Sequence, residues 1–350
     1  MEKKGNHKEE AFLQHRALFI AVLVLGFFLM DPLEIGPVGG IEFRPVKLVI
    51  APYKEVMGSW PRDNESRLGN GRLEFVDEVF GPESLEFDVF GRGPYTGLAD
   101  GRVVRWMGEG VGWETFAIVT SNWSEKLCAR GVDSTTSKQW RHEKRCGRPL
   151  GLRFDKNSGD LYIADAYYGL LVVGPAGGLA TPVATHVEGM QILFANDLDI
   201  HKNGSIFFTD TSRKYNRALM KYWLEGPKAG TMEIVAHLPG FPDNVRINDK
   251  GQFWVAIDCC RTQAQEILVQ NPWIRSLYFR LPIKMKILAR IVGMKMFTVI
   301  SLFNENGEIV EVLEDRKGVV MKLVSEVREV EGKLWIGTVA HNHIATLSYP

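Results

Sequence analysis

Four stretches of the chain share one phrase: DKNSGDLYIADA at 155–166, HKNGSIFFTDT at 201–211, NDKGQFWVAID at 248–258 and, more weakly, EVEGKLWIGTV at 329–339. Each copy runs through a polar turn containing Gly into an apolar, β-rich strand, often closed by Asp. The closing aspartates Asp165, Asp210 and Asp258 lie 45 and 48 residues apart. A repeat of that length with strand rather than helix character marks the blades of a β-propeller. Glycine supplies the turn, and aromatic and β-branched residues suit a sheet packed on both faces.

A second element precedes most copies: RPLGLRF at 148–154, ANDLDI at 195–200 and FPDNVRI at 241–247. In a propeller the innermost strand of each blade presents its first residues to the central channel. Asn196, Asp243 and Asn244 are therefore expected to converge on one axis. Oxygen ligands arriving from separate strands suit a hard cation such as Ca²⁺. Asn and Asp before strands are also ordinary turn formers, and the residues alone leave both readings open.

Composition narrows the class. The 350 residues carry 42 Lys and Arg against 42 Asp and Glu, so the balance that a phosphate-binding surface needs is missing and a nucleic-acid binder is not expected. Four cysteines are too few to build a disulfide scaffold, and no C-x-x-C occurs. There is no G-x-S-x-G, H-E-x-x-H or P-loop. His341 and His343 form an HNH phrase, but it lies in the last repeat, and His341 is read as structural or channel-lining.

The N-terminus sets the compartment. Lys3, Lys4, Lys8 and Arg16 precede an apolar run from Ala17 to Met30. Its fourteen residues give roughly 21 Å as a helix, short of the ~30 Å hydrocarbon core. Residues 1–39 read as a basic n-region with a signal peptide, or as an uncleaved signal anchor of a single-pass type II protein. Either places the body in the secretory pathway: endoplasmic reticulum lumen, vacuole or outside the cell. Asn64, Asn122 and Asn203 stand in glycosylation sequons. In such a compartment Cys128 and Cys146 pair or remain as buried thiols, and the disulfide is the favoured reading. Adjacent Cys259 and Cys260 point to opposite faces of a strand. Between 262 and 300 the repeat is interrupted by a basic, apolar stretch with helical spacing at Ile287, Leu288, Ile291 and Val292. It reads as a capping helical insertion, or as a membrane-surface helix through 273–295 acting with residues 17–30.

The phrases GPESLEFD, FANDLDI, FTDTSRKYNR, KYWLEGPKAG, PGFPDNVRIN and KLWIGTVAH together resemble plant strictosidine synthase-like proteins, from about Gly81 to the C-terminus. That family is similar, more distantly, to adipocyte plasma membrane-associated protein and the paraoxonases. The resemblance implies an all-β, six-bladed propeller over 81–350, after an extension at 40–80. It implies a channel Ca²⁺ whose ligands match Glu83, Asn196, Asp243 and Asn244. It further implies a plant secretory or cell-wall role, the pollen wall included.

Two departures qualify the match. In relatives a segment of about one blade, bearing FPNGV, separates FTDTS-x-x-Y from KYWLEGP. Here Tyr215 and Lys221 are six residues apart and FPNGV is absent. Five blades or an incomplete six are expected, with one asparagine ligand missing. The second departure is catalytic. The family's Pictet–Spengler glutamate falls on Ser325, a hydroxyl that cannot act as that base, and neighbouring Glu326 is expected on the opposite face. The paraoxonase histidine falls on Leu150. Amine–aldehyde condensation is therefore disfavoured. An ester or lactone hydrolase acting on an unknown small molecule, or a non-catalytic structural or binding propeller, is left.

Overall fold

The computed structural model describes residues 2–30, 32–35, 45, 47, 51–129, 140–187, 190–192, 194–200, 206–210, 218–222, 227, 232–283, 287, 290 and 298–350. The chain divides into two compact units, one of residues 1–55 with 261–295, the other of 56–260 with 296–350.

In the larger unit each repeat forms a hairpin. Pro149–Phe154 pairs with Leu161–Asp165, Ala195–Ile200 with Ile206–Asp210, Gly240–Ile247 with Phe253–Cys260, and Glu326–Val330 with Lys333–Gly337, all antiparallel. The repeated phrase is thus the second strand of a blade, and the element before it is the first. Two outer strands complete most of these hairpins: Gly169–Val173 and Thr181–Ala184 in one blade, Thr298–Phe303 and Ile309–Asp315 in another. The first blade runs Leu85–Glu86, Tyr95–Gly97, Arg102–Trp106, Trp113–Ile118, with short Gly178–Leu179 added in parallel at its edge.

The closing blade is assembled from both ends of the chain. Arg72–Glu74 pairs with Ile344–Ser348, with Arg72 opposite Thr346 and Glu74 opposite Ile344. This seam draws a strand from upstream of Gly81, inside the stretch set aside at sequence level as an extension. Leu68, Trp254, Ile300, Leu313, Leu334 and Ile336 form one core joining the closing blade to its neighbour.

Between the second blade and the Gly240 blade the pattern changes. Ala195–Ile200 with Ile206–Asp210 is a two-stranded sheet, and Ala218–Tyr222 with Met232–His237 is another. Among the described residues no ladder joins them. Among the described residues there are thus four blades of four or more strands and, between the second blade and the Gly240 blade, these two two-stranded sheets.

The closing aspartate Asp165 has a structural task. Asp165 is fully buried and accepts backbone N–H bonds from Arg148 at 2.7 Å, Tyr167 at 2.8 Å and Tyr168 at 3.0 Å. It thereby ties the end of one strand to the start of the blade's inner strand. Asp315, at the end of the outer strand Ile309–Asp315, accepts from the Val320 backbone N–H of the following loop at 2.7 Å. The disulfide forms between Cys128 and Cys146, with Cα atoms 5.7 Å apart, closing an 18-residue separation. Cys259 and Cys260 lie in the strand Phe253–Cys260. Asn64 and Asn122 are exposed, as glycosylation would require, whereas Asn203 lies outside the described residues.

The smaller unit is helical. The N-terminal helix spans Glu2–Met30, and its stretch Phe12–Met30 has 19 residues of mean hydropathy 2.0, none of them buried. Phe12 and Leu13 extend the apolar span beyond the fourteen residues read from sequence, to about 28 Å. By length and composition this helix is able to cross a bilayer. The insertion is helical at Gln263–Gln270 and Pro272–Arg280. Thr262 starts the first helix through a capping box with Gln265, and Pro272 opens the second. Ile287 and Arg290 are helical too, while Leu288, Ile291 and Val292 lie outside the described residues.

Burial raises the Asp165 carboxyl to about 6 from 3.8, despite its backbone donors. The folded state then holds a proton that the unfolded chain releases, so this group's contribution falls as pH rises from 3.8 to about 6. An Asp165→Asn variant does not titrate. Its stability relative to wild type should improve by on the order of 3 kcal/mol across that window, at about 1.4 kcal/mol per unit. Denaturant melts at both ends of the window measure this, and a pH-independent difference would refute it.

Candidate functional site

Two glycines bring the inner strands close enough to share side chains. A Cβ on Gly337 would lie 2.4 Å from the Glu83 carbonyl oxygen, and one on Gly151 would lie 2.7 Å from that of Asn196. Both are steric exclusions, so the IGT and PLG phrases hold two of the expected ligand residues in place.

Glu83 is wholly buried, just before the first blade's inner strand. Its Oε1 accepts from Asn244 Nδ2 at 3.3 Å. Asn244, also buried, donates to Glu326 Oε2 at 3.1 Å. Asn196 Nδ2 donates to Asp243 Oδ1 at 3.0 Å. Two linked pairs result, Glu83 with Asn244 and Asn196 with Asp243, joined through the adjacent residues Asp243 and Asn244. Burial first, then the charges of Asp243, Asp197 and Glu326, push the Glu83 carboxyl well above the usual range, with Arg148 opposing.

Three acceptors in this cluster lack a donor: Glu83 Oε2, Asn244 Oδ1 and Glu326 Oε1, all buried. Buried acceptors without a partner are costly unless a proton, a water or a cation meets them. The donor set consists of carboxylate and amide oxygens, which fits a hard cation. Among the described residues no three His, Cys, Asp or Glu are placed as a metal cluster, so the set depends on its asparagines.

Ser325 and Glu326 do not separate as a strand rule suggests. Ser325 precedes the strand Glu326–Val330 and is fully buried, its hydroxyl donating to the Glu83 carbonyl at 2.8 Å. The Glu326 carboxylate turns into the same cluster, accepting from Ser84 Oγ at 3.2 Å and pairing with Arg246 at 2.7 Å. The expectation that Glu326 faces away is thus corrected. The serine sits outside the regular ladder, where side-chain alternation does not apply.

Sequence reading missed a belt of charges around the channel. Glu86 of the first blade pairs with Arg153 of the second at 3.3 Å. Arg153 pairs with Asp199 of the half-blade at 3.1 Å. Asp197 of that half-blade pairs with Arg246 at 2.5 Å, and Arg246 pairs with Glu326 of the closing blade. Arg328 then returns to Glu86 at 2.5 Å. Five inner strands are linked in a closed circuit. Burial works against the Arg246 charge, but Asp197 and Glu326 hold its proton affinity above the ordinary arginine value. A spacing signal existed: Arg246 stands two residues after Asn244, and so shares its face of the strand.

His341 and His343 stack with centroids 5.2 Å apart, and His343 Nε2 lies 3.1 Å from the Val320 carbonyl. The His341 carbonyl accepts from Gly81 at 2.7 Å. Leu150 is buried beside the channel strands.

Comparison with known proteins identifies the relatives of this chain. Residues 67–106 match the family model for the strictosidine synthase-like N-terminal region. Strictosidine synthase-like protein 13 of Arabidopsis thaliana is 62% identical over 409 positions, covering 100% of this chain and 99% of its own. The alignment exceeds the 350 residues of this chain by 59 positions, more than one repeat. Arabidopsis strictosidine synthase-like protein 3 is 39% identical over 366 positions, covering 88% of this chain and 92% of its own. A solved Bacteroides caccae protein of unknown function is similar at TM-score 0.33 and 12% identity, covering 79% of this chain and 72% of that one, too distant to inform function.

Replacing Arg246 by Met should destabilise the protein by about 3–5 kcal/mol, because Asp197 and Glu326 would stay buried without their cation. Adding Asp197→Asn and Glu326→Gln should recover much of that loss. A denaturant melt of the single and triple variants tests the belt; equal stability of wild type and Arg246→Met would refute it.

Proposed function

The chain belongs to the strictosidine synthase-like family, and from that premise we propose a lumenal or secreted propeller that binds Ca²⁺ in its channel through Glu83, Asn196, Asp243 and Asn244. The observation that carries this reading is the trio of buried acceptors without donors at Glu83, Asn244 and Glu326. A divalent cation would neutralise the charge that raises the Glu83 carboxyl and would cross-link strands from separate blades. Such an ion is first of all structural. The N-terminal apolar helix is compatible with entry into the secretory pathway, whether to the endoplasmic reticulum, vacuole or cell exterior. A part in plant secretory or cell-wall processes, including the pollen wall, is in keeping with the family.

A second reading is hydrolysis of small esters or lactones. It is favoured by the uneven burial of the ligand set: Glu83 and Asn244 are sealed, while Asn196 and Asp243 are only half-buried. An ion held this way would keep one side open to a substrate carbonyl and act as a Lewis acid. Amine–aldehyde condensation is the least supported activity. Ser325 is spent on a backbone carbonyl, and Glu326 is bound to Arg246.

Thermal melting with Ca²⁺ and with chelator tests the first reading. At 100 times the dissociation constant a ligand adds about 2.7 kcal/mol, a shift on the order of a few degrees for a protein this large. Asp243→Ala should melt at the same temperature in both conditions, and a wild type indifferent to Ca²⁺ would sink the site. For the second reading, aryl-ester turnover should disappear both with chelator and in Asp243→Ala. Turnover that survives either treatment would exclude ion-dependent hydrolysis.

A further inference from the structure

We propose that the helical pair Gln263–Gln270 and Pro272–Arg280 rests on a phospholipid surface beside the point where the N-terminal helix leaves the bilayer. The inference depends on reading that helix as a retained anchor. Four observations within the smaller unit carry it. First, no residue of the apolar span Phe12–Met30 is buried, and most of its large side chains, from Phe12 to Phe27, are exposed. Second, the Arg280 guanidinium donates to the carbonyl of Leu29, next to the last residue of that span. This contact fixes the end of the second insertion helix at the level where the anchor reaches the headgroups. An arginine there keeps its stem in apolar surroundings and its charge at the polar boundary.

Third, the insertion presents large apolar side chains outward. Trp273 is 63% exposed, Ile267 53% and Ile287 49%. Tryptophan is the side chain most suited to the membrane–water boundary, apolar in body and polar at one edge. Fourth, the charge is one-sided. From Asn271 to Lys295 the sequence has six cations, Arg275, Arg280, Lys284, Lys286, Arg290 and Lys295, and no acid. The nearest acid, Glu266, is occupied by the Tyr53 backbone N–H at 2.9 Å and lies 3.8 Å from Arg261. Aromatic and aliphatic exposure, net positive charge and a neighbouring membrane-length helix together describe an interfacial segment. A protein partner would need none of these to coincide at the anchor's end.

The full chain in nanodiscs tests this, with phosphatidylcholine alone and with added phosphatidylserine. On brominated lipid, wild-type tryptophan fluorescence should lose a component that Trp273→Phe does not contain. Backbone hydrogen exchange over 263–280 should be about tenfold faster in a Trp273→Glu, Ile267→Glu variant than in wild type, with the melting temperature of the propeller unchanged. Phosphatidylserine should strengthen both effects. Equal quenching of wild type and Trp273→Phe, with the N-terminal helix still protected from protease, would overturn the proposal and leave the anchor intact. If the N-terminal helix is instead absent from the mature chain, the anchor reading fails. Flotation of the released protein with the same vesicles then decides: flotation abolished by Trp273→Glu supports the surface, and no flotation overturns it.

Discussion

Arg246 is the interaction on which the channel depends. Its guanidinium sits almost without solvent between the carboxylates of Asp197 and Glu326. These residues belong to three different inner strands, two of which flank the interrupted part of the repeat. A buried arginine with two carboxylates is expensive to assemble and still more expensive to break. Its value here is geometric. The ladder between the half-blades is missing among the described residues, and the Asp197–Arg246 pair and the Asn196–Asp243 hydrogen bond span the gap with side chains instead. Among the described residues, the inner strands on either side of this stretch are therefore joined by side-chain charge.

The same belt shapes the candidate cation site. Glu326 and Asp197 serve Arg246, but their charges also act on Glu83, helping to push its carboxyl upward. The cluster holds more negative groups than the arginines neutralise at that spot, and the unsatisfied acceptors point inward from three blades. Substituting any belt carboxylate should consequently change both closure and cation affinity. The two properties are coupled because one set of inner strands provides both.

Much of this was legible in the sequence. The Gly-turn and closing aspartate gave the hairpins, since a turn and a buried cap are local chemistry. Asn196, Asp243 and Asn244 were placed by their position at strand starts, and Glu83 by family resemblance; the structure brings all four together. The belt was not legible. Arg153, Arg246 and Arg328 alternate along strands as solvent-facing charges do, and only the closing of five strands around an axis turns that face inward. The seam strand Arg72–Glu74 escaped for a different reason: three residues, two of them charged, carry no period. Glu326 was misplaced because alternation was extended to a residue one step outside its strand.

The position of the missing segment follows from the blade's construction. A blade is two antiparallel hairpins, inner and outer, and each hairpin satisfies its own ladder through a tight turn. Losing a stretch that begins after one inner hairpin and ends before one outer hairpin cuts no turn. What remains is an inner pair, Ala195–Ile200 with Ile206–Asp210, and a second pair, Ala218–Tyr222 with Met232–His237. Each pair stays antiparallel, with one bulge in its register, and among the described residues no ladder joins the two. A deletion of similar length starting inside a hairpin would strand a single edge and expose its whole row of donors and acceptors. The inner hairpins contribute the belt and three of the four candidate ligand residues, so the charge circuit of the five inner strands does not depend on the outer pair Ala218–Tyr222 with Met232–His237.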